Sequence, residues 1–419
     1  MKMQPWTKGK LATVVVAVIL LAVSCGSVAA NEPAQETTKV EPSLSPDPKV
    51  VKILQGLGDN SSAVLTNLKT EGEWNAVTKQ YGMERTGPLG RDYTNKAVWM
   101  PDRKRAFFCG ANHGAPHRLN DAWEFDLAAH TWVMLFAPDP HNAKDVMEIK
   151  EFNVAGKMVK YVQTKRGGPT HFGHTWWAFC YDPGMKAALW MNVPIGSSPA
   201  NYIDKETGSK EGVYSGPPMW SFLPWEKKWK MVFSPSPYPK VPYAAQMEYV
   251  PDLKGPVLVS GNWSGDGTWV YNGKDNAWKQ LGKKSNEPIY ESLMAYDREN
   301  KILVVQEPNK ATFHYDIKSS EWTKVLDPGK DSADAPAGHD ARSLMFYDPL
   351  GKVCLLFDPR TPDRMWSYSV KEKKWTDNKV NGPEYPKGRH LGYFDEERNV
   401  FVVNSGTKTW VYRHKKVGK

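Results

Sequence analysis

The side chains that could do chemistry in this chain are arginines, histidines, tyrosines and glutamates that flank runs of strand-like sequence. The candidates for a site are Arg91, His113, His171, His174, Tyr243, Trp263, Glu291, His339, Arg342, Arg389 and His390. Arginine forms paired hydrogen bonds with carboxylate or sulfate, histidine and glutamate transfer protons, and an exposed tryptophan can stack on a sugar ring. The set predicts a site for an anionic or polyhydroxylated ligand, with a glycan as the expected class.

The same residues support binding or catalysis. The binding hypothesis uses Arg91, His113, His171, Trp263, His339, Arg342 and Arg389 as ligand contacts. The alternative is a carbohydrate-active lyase, epimerase or hydrolase, in which His174 or His390 is the general base and Tyr243 or Glu291 the acid. A protein-interaction scaffold is a third hypothesis. Such a scaffold would favour exposed apolar loops, whereas these loops are polar. No H-E-x-x-H, G-x-S-x-G, P-loop or C-x-x-C motif occurs, so the sequence leaves open whether the protein is an enzyme.

A metal site is a further alternative at the two histidines three residues apart. His171 and His174 can share one ion only if His171 lies in the loop before the strand, because residues three apart on a strand point to opposite faces. His390 or Glu291 would then be a further ligand of a divalent metal. We predict no cofactor.

Repeated aromatic pairs indicate how the site residues are positioned. An aromatic residue is followed nine positions later by tryptophan in five pairs, namely Trp123/Trp132, Trp220/Trp229, Trp269/Trp278, Phe313/Trp322 and Trp366/Trp375. Trp410 begins a sixth pair, but the position nine residues later is Lys419, the last in the sequence. A repeat every fifty or so residues indicates a repeat architecture. The incomplete sixth pair predicts a closed ring whose last unit is completed by an N-terminal strand near Trp74.

Each unit contains four strand-like runs. The first two are separated by turns of one form, Met-Pro-Asp102, Tyr-Asp182-Pro, Val-Pro-Asp252, Tyr-Asp297-Arg and Tyr-Asp348-Pro, and the next two carry the aromatic pair. A four-stranded sheet cannot bury both faces alone, so the units must pack face to face. We predict an all-β, six-bladed β-propeller, with seven blades as the alternative, in which the paired tryptophans pack between blades.

The phrases Asp-Ala-Trp-Glu-Phe-Asp-Leu-Ala-Ala-His-Thr-Trp132 and Gly-Arg-His-Leu-Gly-Tyr-Phe resemble kelch repeats, a family that includes the galactose-oxidase-type central propeller. The resemblance covers roughly residues 88 to 414 and points to a bacterial secreted or envelope member. In the second strand, the paired glycines of the family are reduced to Cys-Gly, Ser-Gly or Asn-Ser-Gly. The resemblance implies a propeller with functional loops on one face, but no particular activity. The Tyr/Cys/His set of galactose-oxidase copper chemistry is not evident.

Propeller topology places the candidate site residues at one end of the ring. The loops between the second and third strands, and between units, emerge at the end where the first strands begin. Insertions at residues 137–170, which read as a hairpin, and 195–217 fall at this end, where we expect a wall or lid. The Asp turns fall at the opposite end, which looks plain from the sequence.

The N-terminal segment predicts export. Residues 1–30 contain Lys8 and Lys10, an uncharged stretch and a final Ser-Val-Ala-Ala, the pattern of a signal peptide. Lipidation at Cys25 and an uncleaved membrane anchor are the alternatives, and all three place the protein in the periplasm, outside the cell or at the envelope. We expect residues 31–47 to be a disordered linker, 48–87 a short helix plus the ring-closing strand, and 88–419 the propeller.

Charge and cysteine content narrow the partners. Removing residues 1–30 lowers the formal net charge from +9 to +6, and no basic cluster indicates a nucleic-acid partner. We expect a monomer that meets the membrane only through its N-terminal segment, if that segment is lipidated or uncleaved. Cys109, Cys180 and Cys354 lie in apolar runs, which favours buried thiols over disulfides.

Overall fold

The structure is a computed structural model that describes most of the chain after residue 43. The described residues are 44–72, 88, 91, 94–110, 120–139, 145–170, 175–191, 199–240, 244–259, 267–281, 291–327, 331, 335–336 and 342–416. They are mostly β-strand with few helices. Neither α-helix among them is both long and apolar enough to cross a bilayer.

The strands form four-stranded antiparallel meanders, which we number in chain order. Meander 1 contains β3 (Val98–Met100), β4 (Arg105–Phe108), β5 (Ala122–Asp126) and β6 (Thr131–Phe136). Meander 2 contains β9 (Trp177–Asp182), β10 (Ala187–Met191), β11 (Met219–Leu223) and β12 (Lys228–Val232). Meander 3 contains β13 (Gln246–Val250), β14 (Gly255–Val259), β15 (Thr268–Asn272) and β16 (Ala277–Leu281).

The same pattern continues through the rest of the described chain. Meander 4 contains β17 (Leu293–Asp297), β18 (Ile302–Gln306), β19 (Thr312–Asp316) and β20 (Glu321–Leu326). Meander 5 contains β21 (Leu344–Asp348), β22 (Val353–Phe357), β23 (Arg364–Ser369) and β24 (Lys374–Lys379). Meander 6 contains β25 (His390–Asp395), β26 (Val400–Ser405), β27 (Lys408–Arg413) and, from the N-terminal part of the chain, β1 (Ser61–Leu65).

The first strands of the meanders contact one another in a closed order. β3 contacts β9, β9 contacts β13, and the series runs through β17 and β21 to β25, which returns to β3. At the return point Gly392 pairs in parallel with Lys96, and its backbone N–H donates to the Asn95 carbonyl at 2.9 Å. The first strands therefore surround a common centre.

An N-terminal strand completes meander 6, but it is not the one that the sequence predicted. β1 pairs antiparallel with β27, with Val64 opposite Trp410, whereas the prediction placed this strand near Trp74, which lies outside the described residues. The prediction sought an aromatic partner for Trp410. The position is occupied instead by an aliphatic strand whose Leu65 is buried. Burial of apolar surface, and not an aromatic ring, is what this position requires.

The rest of the N-terminal segment packs on meanders 1 and 6. Helix α1 (Pro48–Gly56) begins at Asp47, whose side chain accepts from the Lys49 N–H at 2.9 Å, with proline at the first helical position. Strand β2 (Lys69–Glu71) pairs in parallel with β6. The segment thus touches both sides of the point where the circle closes.

The repeated tryptophans lie between meanders. The Trp375 indole N–H of meander 5 donates to Thr312 Oγ1 of meander 4 at 3.0 Å, and the Trp322 indole of meander 4 donates to Thr268 Oγ1 of meander 3 at 3.0 Å. In both cases the acceptor directly precedes the first aromatic residue of the neighbouring pair. The nine-residue spacing therefore serves the packing of one sheet on the next.

The two insertions associate with each other. Residues of the first form a hairpin of β7 (Met147–Val154) and β8 (Lys157–Thr164), and the second contains α2 (Pro199–Thr207). The Lys160 N–H donates to the Gly212 carbonyl at 2.6 Å, and the Tyr214 N–H donates to the Lys160 carbonyl at 2.9 Å. The Phe152 ring lies 4.4 Å from that of Phe233. The insertions thus form one body against meander 2.

Buried histidines should make the fold acid-sensitive. Burial lowers the pKa of His130, His314 and His414 to about 4. His130 Nε2 lies 2.8 Å from Thr409 Oγ1, and His314 Nε2 lies 2.8 Å from the Tyr368 hydroxyl, so both rings bridge neighbouring meanders. A histidine pKa below its unfolded value, about 6.5, favours the native state only while the ring is neutral.

We expect the free energy of unfolding to fall as pH drops from about 6.5 to about 4. Each histidine contributes at most about 1.4 kcal/mol per pH unit to this decrease. Urea unfolding across this range should show a shallower slope for His130→Asn, since asparagine tolerates the positive φ of 52° at this position. Asp395 supplies a control of opposite sign. Burial raises its pKa to about 6, so ionising this carboxyl lowers the free energy of unfolding as pH rises from about 4 to 6. The Asp395→Asn variant should lack this decrease. Equal slopes in parent and His130→Asn would contradict this prediction.

Candidate functional site

The structure describes five of the residues predicted for the site. They are Arg91, Glu291, Arg342, Arg389 and His390, whereas His113, His171, His174, Tyr243, Trp263 and His339 lie outside the described residues. The geometry of the predicted site can therefore be built from the rim formed by meanders 4 to 6.

His390 joins two backbone segments at the start of β25. Its ring is buried, with the whole residue 3% exposed, and its Nε2 lies 2.6 Å from the Arg342 carbonyl oxygen. A carbonyl can only accept, so Nε2 carries the proton and donates. Its Nδ1 lies 3.3 Å from the Gly388 carbonyl oxygen. The histidine thus fixes the backbone next to Arg389 against the backbone of Arg342, and both arginines are exposed.

Aromatic rings hold His390 in this position. Phe357 and Tyr385 pack edge-on against the imidazole, with centroids 5.4 and 5.3 Å away. Burial raises the pKa of Tyr385 to about 12, although a hydrogen bond with Ser405 and the charge of Arg342 act in the opposite direction. The Tyr385 hydroxyl donates to the Gly388 carbonyl at 3.1 Å. The packing indicates that His390 positions the rim, since its Nε2 proton is bonded to a carbonyl.

Arg91 is placed differently from its predicted role as a ligand contact. Its guanidinium donates to both carboxylate oxygens of Asp121, at 2.8 and 2.6 Å, and to the Gly110 carbonyl. The two side chains are 1% and 0% exposed, and the Trp123 indole N–H also donates to Asp121, at 2.6 Å. The sequence could not distinguish this buried ion pair from a ligand-facing arginine. The structure gives Arg91 a place in the core of meander 1.

Glu291 lies two residues before the start of β17, at the same end of a first strand as Arg342 and Arg389. It is half-buried and has a φ of 50°, in the left-handed region that non-glycine residues seldom adopt. Its backbone conformation marks the point where the chain enters the strand.

The sequence missed a cavity at the opposite end of the first strands, near the Asp turns. Its volume is about 330 Å³. The lining includes two cross-ring ion pairs, Lys96 with Glu248 at 2.6 Å and Arg298 with Glu396. Lys96 and Glu248 belong to meanders 1 and 3, and Arg298 and Glu396 follow the first strands of meanders 4 and 6. This end, which looked plain from the sequence, contains a concave surface lined by described residues.

Tyrosine–aspartate hydrogen bonds tie neighbouring meanders at this end. The Tyr181 hydroxyl donates to Asp102 at 2.7 Å, and the Tyr296 hydroxyl donates to Asp252 at 2.6 Å. Burial, followed by these hydrogen bonds, raises the pKa of both phenols. The repeated Tyr-Asp turn in the sequence is the signal that could have indicated an organised surface here.

Within the described ranges, no three histidine, cysteine, aspartate or glutamate side chains are grouped to hold a metal ion. The proposed ligand pair His171 and His174 lies outside these ranges. Cys109, Cys180 and Cys354 are buried free thiols, and burial raises the pKa of each.

Comparison with known proteins gives remote structural matches. No protein-family profile and no curated protein matches the chain. Auxiliary nutrient binding proteins from Bacteroides thetaiotaomicron and Bacteroides ovatus are similar with TM-scores of 0.47, identities of 10% and 7%, and coverage of 84% of this chain and 77% and 76% of theirs. A chain of a mitotic checkpoint complex has a TM-score of 0.42 and 10% identity, covering 97% of this chain and all of its own. Matches this distant assign no function, so we base the function on the residues of this chain.

Proposed function

We propose that the chain is an exported binding protein that recognises an anionic, sugar-like ligand at the end of the ring where the first strands begin. The observation that carries this proposal is the rim in which His390 fixes Arg342 beside Arg389 while both arginines are exposed. In the same proposal, His113, His171, Trp263 and His339 complete the contacts from neighbouring loops, and residues 1–30 direct export.

The fold that we propose for this function is a six-bladed kelch-like β-propeller. Its support is the closed order of contacts among the first strands and the four-stranded antiparallel meander to which each of them belongs. Tryptophan donors that cross from one meander to the next fit blades packed face to face. In such a ring, Arg342 and Arg389 lie on adjacent blades at one mouth.

Two exposed arginines on backbone segments that His390 joins favour a carboxylate or sulfate ester. Each can make charge-assisted, bidentate hydrogen bonds to a planar acidic group, and such bonds contribute about 1.5–3 kcal/mol apiece. His390, which joins their two backbone segments, is buried and donates from Nε2 to the Arg342 carbonyl. We propose binding rather than catalysis, because the Nε2 proton of His390 is bonded to the Arg342 carbonyl instead of being presented to a substrate.

Arg342→Ala combined with Arg389→Ala should weaken binding of uronate, sialate or sulfated oligosaccharides by about 100-fold or more, since two charge-assisted contacts are lost. Isothermal titration calorimetry with the full chain measures the change. The matched control is Lys318→Ala combined with Lys371→Ala, which removes the same charge from exposed turns at the other end of the sheets.

The control should retain parental affinity. Unchanged affinity in the arginine variant, with an unchanged melting temperature, would remove the anion site. An equal loss in the lysine variant would show that overall charge, and not the rim, attracts the ligand.

A further inference from the structure

We infer that the cavity at the opposite end of the ring is a second binding site, which takes a neutral saccharide of one or two rings. It is independent of the arginine rim. The cavity lies where the first strands end, whereas Arg342 and Arg389 lie where first strands begin.

All the meanders contribute an aromatic residue to the cavity. The lining rings, in meander order, are Trp99, Tyr181, Tyr249, Tyr296, Tyr347 together with Phe346, and Phe394. The volume of about 330 Å³ is at the lower end of the range for small-molecule sites, about 300–1,000 Å³. That volume admits a small sugar but excludes a long folded polymer or a protein segment.

The charges of the lining compensate one another. Lys96 Nζ donates to Glu248 Oε1 at 2.6 Å and to the Met247 carbonyl at 2.9 Å. Arg298 Nη1 donates to Glu396 Oε2 at 2.9 Å. An anionic or cationic ligand would meet as many repelling as attracting groups. A neutral ligand gains hydrogen bonds from both signs without disrupting either pair.

The two ion pairs also differ in burial. The more buried pair, Lys96 and Glu248, forms a rigid base of the cavity. The side chains of Lys96 and Glu248 are 7% and 21% exposed, against 45% and 29% for Arg298 and Glu396. Burial raises the pKa of Glu248, and the neighbouring Lys96 lowers it. Polar atoms held this firmly need little reordering when a hydroxylated ligand binds.

The aromatic rings supply the other half of sugar recognition. Trp99 stacks on the buried Tyr393 with planes 5° apart, which fixes its orientation. Trp99, Tyr249 and Tyr347 are half-buried, so part of each remains accessible in the lining. An amphipathic ring offers an apolar face to the C–H groups of a sugar, while hydroxyl groups reach the nearby charged side chains. The combination of rings and paired charges favours a neutral saccharide over a purely apolar ligand.

Calorimetry of the full chain with glucose, galactose, cellobiose and lactose tests this inference, with glucuronate and choline as charged comparisons. We expect at least one neutral sugar to bind, and Tyr249→Ala to weaken it about tenfold, or 1.4 kcal/mol. Tyr249→Phe should stay within about threefold of the parent, because the ring is retained. Trp225→Ala should have no effect, since this exposed aromatic lies in a turn of meander 2 and outside the cavity lining.

The combined Arg342→Ala and Arg389→Ala variant separates the two sites. It should leave neutral-sugar binding intact even if it abolishes binding of acidic sugars. Tyr347→Ala repeats the test should Tyr249→Ala fail to fold. The inference is overturned if no neutral sugar binds at about 10 mM, well above a millimolar Kd. Tighter binding of choline or glucuronate, or parental affinity in folded Tyr249→Ala and Tyr347→Ala, would overturn it equally.

Discussion

Replacing Arg91 with alanine should lower the free energy of unfolding by about 3–5 kcal/mol, because it leaves the Asp121 carboxylate buried without its cation. Both side chains are almost fully buried, and the guanidinium donates to both carboxylate oxygens. The Trp123 indole N–H would remain as a single neutral donor. Urea unfolding followed by tryptophan fluorescence measures the loss. A cost of this size is a large fraction of the stability of an ordinary domain, about 5–15 kcal/mol.

Arg364→Ala is the matched control. Arg364 also pairs with an aspartate, Asp377, but their side chains are 42% and 30% exposed. Exposed ion pairs contribute about 0–1 kcal/mol, so this variant should remain near the parent. Arg91→Lys should fall between the two, since lysine keeps the charge but loses the paired geometry. Similar costs for Arg91→Ala and Arg364→Ala would show that burial does not decide the strength of the Arg91 pair.

The aromatic repeat predicted the meanders because its spacing records a physical requirement of the fold. In two of the pairs, tryptophan at the fourth strand reaches the third strand of the preceding meander, where Thr268 and Thr312 accept its N–H. The prediction misplaced the closing strand because β1 packs through the aliphatic residues Val64 and Leu65. Nothing in the repeat pattern distinguishes this pair from other aliphatic pairs in the sequence. Sequence periodicity therefore predicts the contacts that repeat from meander to meander. It does not predict the pairing of β1 with β27, which occurs once.

The predicted site residues also differ in whether their position in the repeat was enough to predict their role. Arg342, Arg389 and His390 could be proposed together because each lies at the start of a first strand. Arg91 occupies an equivalent position, yet its partner Asp121 is thirty residues away and is identified only by the fold.

The cavity escaped prediction for a related reason. Lys96 and Glu248 are separated by 152 residues and meet only across the ring. Each Asp turn, taken alone, has the composition of ordinary polar surface. The concave site exists only after the first strands surround a common centre, so a pass along the chain treats its parts as unrelated.

The N-terminal segment holds the ring closed through contacts with three meanders. The Asp47 N–H donates to the Ala128 carbonyl of meander 1 at 2.8 Å, and the Ser62 N–H donates to the Asn381 carbonyl after meander 5 at 2.9 Å. Arg413 of β27 donates to the carbonyls of Leu54 and Leu57, at 2.9 and 2.8 Å. Together with the pairing of β1 and β27, these bonds bridge the junction between the first and last meanders.

Removing residues 44–66 from a chain that begins at Leu44 should abolish the cooperative folded state. The segment buries Val50, Leu54, Leu57 and Leu65, each 6% exposed or less. Full burial of each such side chain contributes about 1.5–3 kcal/mol, so the loss approaches the whole stability of a typical domain. The deletion also exposes the edge of β27, which favours aggregation. Differential scanning calorimetry and light scattering measure both effects.

A peptide of residues 44–66, added in trans, should restore the melting transition of the shortened chain. The same peptide with Leu54→Asp and Leu65→Asp should not, because a charge at either buried position has no partner to offset its desolvation. This pair of peptides separates loss of the closing strand from a general effect of shortening the chain. A shortened chain that melted at the parental temperature without any peptide would mean that the first strands hold the circle by themselves, and β1 would then be an accessory strand on a ring already stable without it.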